Sequence, residues 1–172
     1  AGPLSFVDAL NEVAPRIDIV VQKDRLKPAA RHFGVLHMLD RRIHAVQPPQ
    51  GSSYHTKFAL IRYVGPKNRV TWKLWLGSRN LTGGQDREAG LLLVGRVVRA
   101  CGSRHPSIAS SIASMAQELL SPLGWIAGFK DELESVRWNA PKDVKLRGIQ
   151  WRRAGEWKPF STALRGATRT VA

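Results

Sequence analysis

The sequence predicts an α/β fold in which a mixed, largely parallel sheet is flanked by helices. Short runs of β-branched and aliphatic residues recur along the chain, as the strands of a buried sheet require. The first two runs are separated by a stretch with helical spacing, an order typical of parallel strands joined by a helix. The chain has 172 residues, of which 43% are apolar, which is sufficient for one domain with a buried core.

The first elements alternate between strand and helix. The run at 16–22 predicts a strand, residues 27–39 predict a helix, and residues 42–47 predict a second strand parallel to the first. Two further strands are predicted at 55–64 and 69–78. The turn sequence "GPKN" between them makes these two strands an antiparallel pair.

The second half of the chain adds a strand and a helix. Residues 88–98 are mostly aliphatic and predict another buried strand. Pro106 begins a helix whose apolar residues lie on one face, and Pro122 ends it. Beyond this helix the periodicity weakens. Residues 131–138 fit a short helix, and residues 144–153 alternate like an exposed strand.

Charge is the strongest compositional signal. The chain carries 27 Lys and Arg residues against 13 Asp and Glu, a formal net charge of +14. Such an excess attracts polyanions and makes nucleic acid the leading partner, with a solubilising basic surface as the alternative. A single cysteine, Cys101, excludes an internal disulfide and favours a cytoplasmic location. No apolar run approaches the ~20 residues of a membrane span.

A His-x-Lys sequence begins the third predicted strand. Because side chains alternate along a strand, His55 and Lys57 share one face and lie about 6–7 Å apart. Neutral imidazole can attack phosphorus near neutral pH, while the ammonium neutralises a phosphoryl oxygen. The pair alone is a weak signal, because a solvated strand face explains it equally well.

A Gly-Ser-x-Asn sequence ends the next predicted strand. The amide of Asn80 can donate to a phosphate oxygen, and Gly77 allows the backbone to come close to it. Glu88 begins the following strand, where its carboxylate can hold one ring nitrogen of His55 and leave the other free. An ordinary turn at residues 78–84 is the alternative interpretation.

The combination of "YHTKFALI", "LGSRNLTGG" and "REAGLLLVG" resembles the phospholipase D superfamily, over about residues 16–120. Many members carry Asp five residues after the Lys, where this chain has Arg62. The tyrosyl-DNA phosphodiesterase branch is similar in lacking that Asp. The resemblance implies a phospholipase D-like fold and a metal-independent phosphodiesterase or nuclease without a cofactor, which works through a phosphohistidine intermediate.

The resemblance also implies a role for each motif residue. His55 is the nucleophile or the general acid, Lys57 and Asn80 bind the non-bridging oxygens with help from Ser78, and Glu88 orients the imidazole. The mechanism requires two motifs, and the sequence contains a single His-x-Lys. We therefore expect a homodimer with a shared site, or a second motif on another part of a longer protein.

The net charge favours a nucleic acid substrate, with DNA preferred over RNA. The candidate nucleic-acid-binding residues are Arg79, Lys23, Arg25, Lys27, Arg152 and Arg153. Trp72 and Trp75 are expected in the core, whereas Trp138 is assigned either to stacking on unpaired bases or to packing. A non-catalytic nucleic-acid-binding module and a lipid phosphodiesterase remain as alternatives.

The chain is divided into a catalytic domain at residues 1–130 and a basic extension at residues 131–172. The extension is interpreted as a nucleic-acid-binding arm, a dimer contact or the start of a second half. The sequence leaves these three interpretations open.

Overall fold

A computed structural model describes residues 3–25, 34–48, 50, 56–78, 89–98 and 106–149. The helices are α1 (Pro3–Val13), α2 (Pro106–Leu119) and α3 (Lys130–Glu134). The strands are β1 (Ile19–Gln22), β2 (Ile43–Val46), β3 (Lys57–Val64), β4 (Val70–Gly77), β5 (Gly90–Val97) and β6 (Val136–Asn139). Segments of 3₁₀ helix lie at Ala14–Arg16, Gly34–Arg42, Pro66–Asn68, Ser121–Leu123 and Trp125–Phe129. Within the described ranges, none of the helices has the length and apolarity needed to traverse a bilayer.

The strands form two separate sheets. β1 and β2 pair in parallel, with Ile19 opposite Ile43, as the sequence predicts. β3, β4, β5 and β6 follow one another in a second sheet in which every pairing is antiparallel. The predicted antiparallel pairing of β3 with β4 is confirmed. The predicted fold class, a mixed and largely parallel sheet flanked by helices, is wrong.

The residue pattern of the large sheet explains this error. Trp72 and Leu74 of β4 are buried, and the residues between and after them are only partly buried. β5 alternates in the same way around buried Leu93 and Gly95. Parallel strands are covered on both faces and are therefore continuously apolar, whereas alternation is typical of an antiparallel sheet with one open face. The predicted fold class rested on the apolar content of these strands and did not include their alternation.

Helices α2 and α3 cover one face of the large sheet, which we call the inner face. Two clusters of buried residues form there. One contains Trp72, Ala113, Ala116, Ile126, Leu133 and Val136, and the other contains Leu74, Leu93, Ile108, Ile112 and Met115. The opposite surface, the outer face, consists of odd-numbered residues 57–63 and 71–77, even-numbered residues 90–96, and residues 137 and 139.

Two elements of the fold are not anticipated by the sequence reasoning, which assigns residues 131–138 to a single helix and makes no prediction for α1. The helix α3 ends at Glu134, and β6 then pairs with β5. Gly95 makes this pairing compatible with the core, because a Cβ there would lie only 2.9 Å from the indole of Trp138. Residues 144–149 form no regular strand, although Leu146 and Ile149 pack against the inner-face cluster.

Candidate functional site

The antiparallel register brings three segments together at one end of the large sheet. Lys57, the first residue of β3, pairs with Gly77, the last residue of β4. Gly77 in turn pairs with Gly90, the first residue of β5. We call this end of the sheet the motif edge. It is the end at which the His-x-Lys, Gly-Ser-x-Asn and Glu-containing segments enter or leave their strands.

Ser78 closes the junction between β4 and β5 at the motif edge. Its backbone N–H donates to the carbonyl of Ala89 at 2.9 Å, and its Oγ accepts from the N–H of Ala89 at 3.0 Å. The hydroxyl oxygen is thus engaged as an acceptor, while its own proton can still be donated outward. Ser78 therefore holds the ends of β4 and β5 together and retains one proton that it can donate.

Two of the predicted catalytic or phosphate-binding residues, Lys57 and Ser78, lie within the described part of the chain, and both are at the motif edge. The remaining predicted residues at this site lie outside the described residues, and so do several of the candidate nucleic-acid-binding residues. They are His55, Arg79, Asn80, Glu88, Lys27, Arg152 and Arg153. Lys23 and Arg25 are exposed and follow β1, in the small sheet, so the large sheet does not carry them.

Trp75 lies on the outer face and is half-buried, so the prediction that it belongs to the core is wrong. Trp72 does belong to the core and is only 1% exposed. The two residues are three positions apart on one strand, and an odd separation directs side chains to opposite faces. This parity was available in the sequence and would have distinguished the two tryptophans.

The indole of Trp75 extends along its strand toward the motif edge. A Cβ added to Gly77 would lie 2.5 Å from Cζ2 of this indole, and one added to Gly90 would lie 3.3 Å from Nε1. The two paired glycines thus provide the space in which the ring lies. The sequence predicts that Gly77 allows the backbone to approach a phosphate. In the described structure, Gly77 accommodates an aromatic ring beside Lys57, its partner on β3.

Arg62 lies on the inner face and joins the sheet to α3. Its Nε and Nη2 donate to the two carboxylate oxygens of Glu132 at 2.8 and 2.9 Å, and its guanidinium lies 5.0 Å from the ring centre of Phe129. The hydrogen bonds from Arg62 lower the pKa of the Glu132 carboxyl, against an opposing effect of burial, and Trp72 adds a further donor. The same pair raises the pKa of Arg62.

Arg62 stands at the position where the sequence departs from the phospholipase D pattern that it resembles. The position at which many members have Asp is directed here to the inner face, opposite to Lys57. Arg62 therefore serves the attachment of α3 and leaves the outer face at the motif edge unaffected.

A second polar cluster joins the small sheet to the 3₁₀ segment Trp125–Phe129. One carboxylate oxygen of Asp18 contacts His44 Nε2 at 3.0 Å and Arg42 at 3.8 Å, and the other accepts from Trp125 Nε1 at 2.9 Å. No sequence signal identifies this cluster, because Asp18 and Trp125 are 107 residues apart.

The structure assigns Trp138 to packing, one of the two roles left open. It lies on the inner face and contacts both buried clusters, so it is not available to stack on bases. Among the described residues its Nε1 has no hydrogen-bond partner. The parity of β6, in which Trp138 follows outer-face Arg137, accounts for this orientation.

Within the described ranges, no group of three or more His, Cys, Asp or Glu side chains is arranged to hold a metal ion.

No family model matches the chain, and neither a curated protein nor a solved structure shows significant similarity to it.

Proposed function

We propose that this chain is a metal-independent phosphodiesterase that cleaves DNA or RNA, with a site shared between two motifs of the phospholipase D type. One observation carries the proposal. The register that pairs Lys57 with Gly77 and Gly77 with Gly90 brings the ends of all three motif-bearing strands to one edge. The formal charge of +14 supports a polyanionic substrate.

In the proposed reaction, an imidazole nitrogen of His55 attacks phosphorus and the bond to the leaving oxygen breaks. A histidine of the second motif donates its proton to that oxygen. Water then attacks the phosphohistidine, giving its proton to the second histidine, and the N–P bond breaks. Throughout both steps the Lys57 ammonium and the Ser78 hydroxyl stabilise charge on the non-bridging oxygens, together with Asn80, while Glu88 orients His55.

Turnover with EDTA present is the direct test. We expect the wild-type protein to cleave a labelled oligonucleotide in EDTA, and His55→Ala to lose at least ~10³-fold in rate while it retains affinity. Lys57→Ala should also lose turnover, whereas Lys67→Ala provides a matched control, because Lys67 is an exposed lysine in the turn after β3. When the cleavage reaction is quenched without acid, phosphohistidine should be detected on the wild-type chain.

Three outcomes count against the proposal. Absence of cleavage in EDTA would remove the metal-independent mechanism, and a His55→Ala variant with wild-type turnover would remove its nucleophile. Hydrolysis of phospholipid vesicles in preference to oligonucleotides would instead favour the lipid phosphodiesterase.

A non-catalytic nucleic-acid-binding module is the second candidate, and one observation favours it. The outer face of the large sheet carries Lys73, Arg96 and Arg137 away from the motif edge, where they have no role in bond cleavage. For such a module, wild type and His55→Ala should bind nucleic acid equally and neither should cleave it.

A further inference from the structure

All the charged residues on the outer face of the large sheet are cationic. Each of the four strands carries one of them, namely Lys57, Lys73, Arg96 and Arg137. Arg96 and Arg137 are exposed, and Lys73 is partly exposed. Every residue of these strands is described, and none of their outer-face positions carries Asp or Glu. A surface with this pattern has a positive potential and attracts a polyanion.

Two aromatic rings are interspersed among these cations. Tyr63 is 46% exposed, and the Lys73 ammonium lies 4.8 Å from the centre of its ring. Trp75 lies on the neighbouring strand, four residues along β4 from Thr71, the partner of Tyr63. At the rise of a strand, the backbone positions of Tyr63 and Trp75 are ~14 Å apart along the strand direction. Aromatic rings beside cations on an open surface are suited to stacking of unpaired bases.

We propose that the outer face binds single-stranded nucleic acid and leads it to the motif edge. Bases stack on Tyr63 and Trp75, phosphates contact Lys73 and Arg96, and the strand reaches Lys57 at the end of the sheet. The choice of ligand rests on the proposed function, since it is the substrate of that site. Duplex is disfavoured because its bases are already stacked on one another and cannot reach the rings.

A second copy of the chain is the rival occupant, because Ile61, Leu92 and Val94 expose 43%, 46% and 36% of their surface on this face. A twofold arrangement of two outer faces would oppose cations with cations, and no outer-face carboxylate of β3–β6 is present to compensate them. Like charges across an interface are costly. A nucleic acid strand satisfies both the charges and the apolar surface between them.

Binding is measured by fluorescence anisotropy with a labelled oligothymidylate of about 20 nucleotides, across a salt series with EDTA present, in a His55→Ala background. Lys73→Gln combined with Arg96→Gln should weaken binding at least ~10-fold. It should also reduce the slope of log affinity against log salt by about 1.4, for two lost phosphate contacts. Arg41→Gln with Lys130→Gln is the matched control: it removes one Arg and one Lys from exposed positions outside the large sheet, and should leave the slope unchanged.

Stacking is tested at Tyr63. Tyr63→Ala should weaken single-strand binding about 5- to 100-fold, whereas Tyr63→Phe retains the ring and should bind as the wild type does. Thermal unfolding of each variant, followed by circular dichroism, verifies that it is folded. Equal effects of the Lys73/Arg96 and Arg41/Lys130 pairs would overturn the inference, and so would a duplex of the same length bound as tightly as the single strand.

Three further results separate the inference from the rival occupant and from the proposed function. If Ile61→Glu converts a dimer into a monomer without weakening single-strand binding, the outer face is an interface between copies and the inference is wrong. If the outer-face variants of an otherwise wild-type chain cleave single strands with unchanged KM, the inference fails while the proposed phosphodiesterase stands. Binding that depends on the outer face, in a protein without cleavage, supports the inference and counts against the proposed enzyme alone.

Discussion

Arg62 and Glu132 are 70 residues apart in the chain and join the large sheet to α3 through two hydrogen bonds. Glu132 also accepts from Nε1 of Trp72, a residue that is only 1% exposed. Loss of this acceptor would leave a buried donor without a partner, which is costlier than the loss of a surface ion pair. The interaction is thus expected to matter more for stability than its partial exposure suggests.

Glu132→Gln retains an oxygen for Trp72 but removes the charge, and we expect it to reduce the free energy of unfolding by about 1 kcal/mol at neutral pH. Because the folded-state pKa of Glu132 is lowered from its ordinary 4.5, the charge stabilises the fold above that pH and ceases to do so as the pH falls through the lowered pKa. The difference between wild type and variant should therefore shrink in acid.

Urea unfolding at a series of pH values measures this difference. Glu134→Gln, on the exposed side of the same helix, is the control and should show only a small difference from wild type. A wild-type advantage over Glu132→Gln that persists below the pH at which Glu132 protonates would contradict the assignment.

Among the elements, β4 determines the character of both faces of the large sheet. Trp72 is directed into the core and Trp75 lies over Gly77 and Gly90 on the outer face. A strand of eight residues with a tryptophan on each side can both anchor the helices and offer an aromatic surface. Gly77 at its end, and Gly90 on the neighbouring strand, are therefore needed for the position of the ring.

Gly77→Ala should displace the Trp75 indole, because the added Cβ would lie 2.5 Å from Cζ2. We expect a loss of about 1–3 kcal/mol in the free energy of unfolding, as for other overpacked sites. In a Trp75→Ala background the same substitution should cost much less, giving a coupling energy in a double-mutant cycle. Gly148→Ala, where nothing lies within 4 Å of the added Cβ, is the control. Equal costs of Gly77→Ala in both backgrounds would contradict the contact.

At the scale of the whole molecule, the helices cover one face of the large sheet, and the other face carries Lys57, Lys73, Arg96 and Arg137. An antiparallel sheet tolerates this asymmetry because its alternating residues suit a buried and a solvated side. The small sheet is attached to the helical layer through Asp18 and Trp125. The molecule thus presents a large basic surface without interrupting its core.

The mechanism with two motifs also makes a prediction about the whole molecule. The sequence contains a single His-x-Lys, so an active preparation should have twice the mass of the chain in solution. Sedimentation or light scattering, at the concentrations used for the cleavage assay, measures this mass. An active protein that remains a monomer at those concentrations would contradict the shared site.

Local information in the sequence was enough to locate most strands and the helix at Pro106, and to predict the pairing of β3 with β4. These features depend on alternation and on turn residues that act over a few positions. The sequence also predicted that Lys57 and Ser78 belong to neighbouring strands. The register of these strands then placed both residues at the motif edge.

Tertiary structure alone decided the division into two sheets and the partners of Asp18 and Glu132. Glu132 meets Trp72 across 60 residues, and Asp18 meets Trp125 across 107. Such contacts depend on how the elements pack as a whole, because no periodicity within a strand or helix specifies which distant side chain will complete a hydrogen bond.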